Sequence, residues 1–352
     1  MSGTDVRDGV VAPPRRSVRP ACPVCDGPSE PGLSALYDDR FGYPGRFTIR
    51  QCRSCGHRFI DADFTESELR SLYSEYYPRG MLDLDQFQPY AEAHGARAWL
   101  AGEQASAFRW VPRHVRVLDI GCGFGETLAY HEGRGCDAHG IDADENVLRV
   151  AERYGLKARA GLFHPEDYDP ESFDYVTADQ VIEHVMSPRE FLSGVAAVLR
   201  PGGFVVLSTP NSGGLSARLF GRRWINWHVP YHLQQFSRES LRILARHAGL
   251  SVVSLRTITN SRWLGFQWSH VFSAPPRGVP SPFWDGERSP LAMPRGVDRS
   301  AALLERARVF QLVTRFADSV GGGDNFLCVL QKHDESIRVP RPRIAGSGLT
   351  GG

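Results

Sequence analysis

The chain has 352 residues, 41% of them hydrophobic and 23% charged, with a formal net charge of +1. That describes a globular protein with room for one sizeable domain and a smaller one, and the near-neutral balance gives no electrostatic case for nucleic acid, whose phosphates call for a basic face. No run approaches the ~18 apolar residues that span a bilayer, and Met1–Pro20 carries arginines and prolines without the apolar core of a secretory signal, so the expected compartment is cytoplasmic.

Residues 1–20 are polar and aperiodic and are expected to be disordered. Next come two knuckles within 21–62, Cys22-Pro23-Val24-Cys25 and Cys52-Arg53-Ser54-Cys55. A two-residue spacer lets both thiolates of a knuckle face one tetrahedral metal, and four thiolates leave no open position. Cys22, Cys25, Cys52 and Cys55 are therefore expected to hold structural Zn in a ribbon, with Leu36–Arg50 alternating as strands around the turn Gly42-Tyr43-Pro44-Gly45. A redox dithiol pair is the alternative. His57 is surplus to a site already filled.

Residues 63–112 read as helices. Thr65 with Glu68 three residues on is a capping signal, and the aromatics Tyr73, Tyr76, Tyr77, Phe87 and Tyr90 follow, then an alanine-rich segment around 91–107. From 113 to about 258 strand and helix alternate, which predicts a doubly wound parallel sheet in a domain expected to run from 113 to 335. The strand Arg116–Ile120 runs into Gly121-Cys122-Gly123-Phe124-Gly125, a turn in which glycine accepts positive φ and lets backbone approach a nucleotide-like ligand. The third glycine of a dinucleotide turn would fall on Glu126, so that fingerprint is excluded. A second strand, Ala138–Asp142, ends in an acid about 20 residues past the turn, where a carboxylate accepts from a ribose diol.

Phe173–Gln180, Val181–Val185, a helix after Pro188, the strand Phe204–Ser208 and the strand Gly249–Leu255 continue the alternation. The last strand, Asn325–Gln331, arrives only after an insertion of about 260–320. That segment holds Trp263, Phe266, Trp268 and Phe272, a proline-rich stretch, and an amphipathic helix with Leu303, Ala307, Phe310 and Val313. Long insertions usually cap a site or bind something. This one either encloses an acceptor or forms a homodimer interface. The tail, 336–352, is expected to be disordered.

The glycine series after Asp119, the acid Asp142, and the segments at 173–185 and 199–211 resemble, in order and spacing, motifs I and IV to VI of the class I S-adenosylmethionine (SAM) methyltransferases. The resemblance covers about residues 113–260. It implies an α/β, Rossmann-like seven-stranded SAM methyltransferase domain behind a small N-terminal zinc ribbon and a helical lid. It also implies S-adenosyl-L-methionine as cofactor, held by Asp119, Gly121, Cys122, Gly123, Gly125, Asp142, Ala143, Asp179 and Gln180.

Methyl transfer from a sulfonium needs positioning and, for a hydroxyl acceptor, removal of a proton. Candidate bases stand at the C-terminal ends of strands: Asp179 and His184 after the fourth, His228 and His232 after the fifth, where Pro230 argues for an irregular loop. No carboxylate lies near His228 and His232 in sequence, so the pair is not read as a metal site. Glu183-His184 also resembles the ubiquinone-biosynthesis O-methyltransferases, in which a Glu-x-x-Glu-His run is associated with a divalent metal. Here Gln180 stands in place of the first acid and removes an anionic ligand. The resulting expectation is O-methylation of a small-molecule acceptor, a specialised metabolite or sugar-derived intermediate. N- or C-methylation, or a SAM-binding or zinc-ribbon interaction module without turnover, are the alternatives.

Overall fold

Strand and helix alternate in space as they do along the chain. The computed structural model describes residues 21–77 and 84–333, so the disorder expected for 1–20 and 336–352 lies outside the described residues. The strands are β1 (Ser29–Leu36), β2 (Phe47–Cys52), β3 (Arg58–Ile60), β4 (Arg116–Ile120), β5 (Asp137–Asp142), β6 (Lys157–Ala160), β7 (Phe173–Asp179), β8 (Leu199–Pro210), β9 (Gln234–Gln235), β10 (Leu250–Thr257) and β11 (Asn325–Lys332). The helices are α1 (Glu66–Ser71), α2 (Gly95–Ala101), α3 (Glu126–Glu132), α4 (Asn146–Tyr154), α5 (Pro188–Val198), α6 (Leu215–Phe220), α7 (Arg238–His247), α8 (Ser261–Phe272), α9 (Val297–Arg306) and α10 (Val309–Ser319).

A seven-stranded sheet runs in the order β10-β11-β8-β7-β4-β5-β6. Strands β8, β7, β4, β5 and β6 are parallel, and β11 is antiparallel to both of its neighbours. Val117, Leu118, Val176, Val205 and Val206 are fully buried, as strands covered on both faces require. β4 lies between β5 and β7, so the chain leaves it first to one side and later returns on the other. A crevice opens at the C-terminal ends of strands where connections diverge in this way.

The knuckle module differs from the sequence expectation in two respects. First, β1 ends at Leu36 and β2 begins at Phe47, so Tyr37–Arg46 is a loop and not strand. The loop winds around Asp38, whose carboxylate accepts the backbone N–H groups of Arg40, Phe41 and Tyr43 at 2.9, 3.0 and 2.8 Å. A side chain that satisfies three buried donors removes the need for ladder pairing. Second, the small sheet has the order β1-β2-β3-β9, so its last strand is supplied from residues 234–235.

The knuckles therefore share a core with the large sheet. Cys22, Cys52, Cys55 and Phe59 pack in one cluster with Leu192, Val195, Phe236 and Leu241. Arg189 Nε donates to the Val24 carbonyl at 2.7 Å, and Ser237 Oγ to the Cys55 carbonyl at 2.6 Å.

The insertion forms α8, an irregular stretch, α9 and α10. The loop between the knuckles grips it. Tyr37 donates to the Pro275 carbonyl at 2.8 Å. His270 Nε2 lies 3.2 Å from the Asp39 carboxylate, and Trp284 Nε1 donates to His270 Nδ1 at 3.0 Å. β8 starts five residues before the expected Phe204, because Leu199 already pairs with Phe173 across a register shift. Among the described residues no helix is long and apolar enough to cross a membrane.

Candidate functional site

The turn after β4 needs its glycines. Gly121, Gly123 and Gly125 have φ of 76°, 59° and 101°, in the left-handed region that side chains disfavour. A Cβ on Gly121 would stand 2.5 Å from Val181 Cγ2. On Gly123 its nearest neighbour would be Glu126 Oε2 at 3.7 Å, so that position faces open space. The turn is tied to β5: Gly121 and Cys122 donate to the Ile141 carbonyl at 2.8 and 3.2 Å. Gly123 N–H donates to Asp142 Oδ2, and Asp144 N–H to Asp142 Oδ1, both at 2.8 Å.

Asp119 has a different environment from Asp142. It is 2% exposed, and its carboxylate accepts from the hydroxyls of Thr127 and Thr177. Burial pushes it up to about 7. It braces the turn from beneath. Sequence pattern alone does not mark Thr127 and Thr177 as partners of Asp119; the available signals are a threonine inside an apolar strand and one in the first turn of a helix.

A cavity of about 1250 Å³ opens beside this turn, lined by Gly121, Gly123 and Asp179 from the strand ends, by Arg109, and by Arg262 and Arg308 from the insertion. The insertion thus reaches the crevice at the strand ends. Asp179 accepts from the Ser208 hydroxyl, and burial raises its pKa. Gln180 Nε2 donates to Ser208 Oγ and Asn325 Oδ1, each at 2.8 Å. Cys122 is buried and Ala143 is exposed on the loop after β5.

The candidate histidines, read in sequence as two separate groups, form one cluster. The ring centroids of His184 and His232 are 4.8 Å apart, and those of His228 and His232 4.9 Å. Tyr231 stacks on His228 at 4.7 Å, while Tyr73, Tyr77 and Phe41 close round Tyr231 edge-on. The segment 228–232 is a tight turn, His232 N–H bonding the His228 carbonyl at 3.0 Å, with a cis Val229–Pro230 bond.

His184 Nδ1 faces the Tyr231 carbonyl at 3.0 Å, and His232 Nδ1 the Asn226 carbonyl at 2.9 Å. A carbonyl only accepts, so the His232 ring carries its proton on Nδ1 and a lone pair on Nε2. His184 Nδ1 is shared between the Tyr231 carbonyl and the Tyr73 hydroxyl, also at 3.0 Å, and a proton on it serves the carbonyl, with the Tyr73 oxygen as a second acceptor. Burial pushes His184 down to about 4 and holds His228 and His232 well below the usual imidazole range. All three are neutral at physiological pH.

Glu183 is fully buried beside them. Its Oε2 accepts from Thr209 Oγ1 at 2.9 Å, and Oε1 has no hydrogen-bond partner among the described residues. Burial pushes its carboxyl up to about 8. The carboxylate that sequence proximity does not place near His232 is therefore supplied by the loop after β7.

The four cysteines converge. Cys22 and Cys55 sulfurs lie 3.7 Å apart, Cys25 and Cys52 3.5 Å, and Cys25 and Cys55 3.4 Å. A tetrahedral zinc with bonds of ~2.3 Å has sulfur–sulfur edges of ~3.8 Å, so the donor set suits that ion. His57, outside the set, makes a 2.9 Å hydrogen bond with Gln234 Oε1, and Gln234 Nε2 donates to the Val185 carbonyl at 3.1 Å.

A doubly wound sheet with this glycine turn at its switch point defines an enzyme of the SAM-dependent methyltransferase class. The chain belongs to the methyltransferase-domain family, whose profile matches residues 73–255. It is 32% identical over 169 residues to the ubiquinone biosynthesis O-methyltransferase of Thiobacillus denitrificans, covering 43% of this chain and 73% of that protein. The protein of the same description from Cupriavidus pinatubonensis is 29% identical over 189 residues, 49% of this chain and 73% of that protein.

Proposed function

We propose that the protein transfers a methyl group from SAM to a hydroxyl of a small molecule, a specialised metabolite or sugar-derived intermediate, and that its four thiolates hold a structural zinc. The observation that carries the O-methylation reading is the cluster of three neutral histidines in the segments after β7 and β8, at the same C-terminal edge of the sheet as the glycine turn. The names of the relatives are consistent with an oxygen acceptor.

SAM, when bound, supplies a methyl already activated on a sulfonium. The protein's part is to place the acceptor in line and to receive its proton. Gly121 and Gly123 offer the close backbone approach, and Asp142 is the acceptor for the ribose hydroxyls. Asp179 shapes the cavity floor but is engaged with Ser208, which leaves it a poor base. His228 is the better candidate: its Nε2 is buried and has no hydrogen-bond partner among the described residues. A base in that position contributes roughly 10²–10⁴-fold.

Mass spectrometry of products formed from a panel of hydroxyl-bearing acceptors and methyl-labelled SAM tests the reading. The expected product carries the label on oxygen, and His228→Asn reduces its formation by at least ~100-fold without changing SAM affinity. Label on nitrogen or carbon would replace the O-methylation reading.

A further inference from the structure

The Glu-x-x-Glu-His run of the resembling O-methyltransferases is not intact here. Gln180 replaces its first acid with a neutral amide, whose Nε2 donates to Ser208 and Asn325. A set of two carboxylates and one imidazole therefore cannot form on Gln180, Glu183 and His184. The structure nevertheless brings a different third donor to Glu183 and His184. One ligand atom from each of Glu183, His184 and His232 lies within 4.8 Å of the other two.

We propose that Glu183, His184 and His232 form a divalent transition-metal site, in which His232, from the loop before β9, takes the place of the acid lost at Gln180. Two features beyond proximity point to a cation. Both imidazoles have Nδ1 against a backbone carbonyl, and His184 Nδ1 also meets the Tyr73 hydroxyl at 3.0 Å, the outer-shell support that orients metal-bound histidines through Nδ1 and directs Nε2 to the metal. Glu183 has one carboxylate oxygen held by Thr209 and the other buried without a partner among the described residues, which is costly unless a cation or a donor meets it.

Two imidazoles and one carboxylate suit manganese, iron, cobalt, nickel or zinc, whereas magnesium prefers oxygen donors and retained water. The inference rests on the proposed methyl transfer only for the site's use: a cation there would polarise the acceptor oxygen and ease loss of its proton to His228.

The test is titration of the purified protein, its cysteine site already loaded with zinc, with cobalt(II), followed by visible absorption. The expected result is about one further equivalent bound, with ligand-field bands but no thiolate charge-transfer band, since sulfur is absent from the donor set. Equimolar magnesium should not displace it. His232→Gln and Glu183→Gln should each weaken binding beyond the ~10–100-fold that loss of a mere supporting hydrogen bond costs.

Absence of the second spectral transition in the unsubstituted protein would overturn the proposal, whatever the folding of the variants. So would retention of the transition in both variants, or displacement by equimolar magnesium. Calorimetry with SAM on the same samples separates the two readings. Intact SAM binding without cobalt uptake rejects the metal site alone, and loss of SAM binding rejects the methyltransferase reading.

Discussion

Asp142→Ala removes two acceptors with one change. In the parent, Oδ2 takes the Gly123 N–H and Oδ1 the Asp144 N–H, each at 2.8 Å. The same carboxylate is the proposed ribose acceptor. The Gly123 bond is solvent-accessible, so water replaces the lost partner and the cost to the folded state stays near ~1–2 kcal/mol. For a domain of this size that lowers Tm by roughly 2–4 °C.

The cost to SAM binding is larger, because a charge-assisted contact of ~1.5–3 kcal/mol is lost in the bound state. Kd should rise by roughly 10- to 150-fold. Asp142→Asn keeps one carbonyl oxygen and should fall between parent and alanine variant. Isothermal calorimetry with S-adenosylhomocysteine and its 2′,3′-dideoxy analogue isolates the ribose contribution. The parent should prefer the hydroxylated ligand strongly, and the alanine variant should barely distinguish the two. If the variant binds SAM as well as the parent, or discriminates between the analogues as sharply, the assignment of Asp142 to the ribose is wrong.

Cys52→Ser should abolish the zinc proposed for the four cysteines, read by elemental analysis against the parent, and amide exchange should accelerate in β3 and in the Leu233–Gln235 segment together, because Ile60 N–H bonds the Leu233 carbonyl at 3.0 Å; faster exchange confined to residues 21–62 would contradict the shared sheet. His131 is fully buried, neither ring nitrogen has a hydrogen-bond partner among the described residues, and burial pushes it down to about 3. Above its ordinary value of 6.5 the ring is neutral in both states and stability is independent of this group. Below that value the unfolded chain takes up a proton that the folded chain refuses, so stability falls with pH, by roughly 2 kcal/mol between pH 6.5 and 5. His131→Leu should flatten that part of the acid-unfolding curve, and denaturant titrations with equal slopes against pH in both proteins would refute the cause.

Much of the fold is determined locally. The glycine turn, the acids Asp119 and Asp142, the knuckle spacing and the Thr65–Glu68 cap, which forms with both of its hydrogen bonds, lie within a few residues of their partners. Short-range patterns of this kind specify backbone conformation directly. The apolar runs of β4, β7 and β8 mark a sheet covered on both faces for the same reason.

What only the tertiary structure decides is which distant segments meet. Nothing in Gln234-Gln235 marks it as the fourth strand of a sheet that begins at Ser29, since a two-residue strand carries no period of its own. Asp39 and His270 lie 231 positions apart yet approach to 3.2 Å. Sequence spacing separates His184 from His232 and leaves His232 without a carboxylate, whereas the return of the chain from β8 to β9 sets it beside Glu183. The roles of Asp119 and Asp142 diverge for the same reason: both lie at the C-terminal end of a strand, but the threonines that occupy Asp119 come from α3 and β7. Side-chain chemistry is written residue by residue, while the partners that direct it are fixed by strand order and crossover.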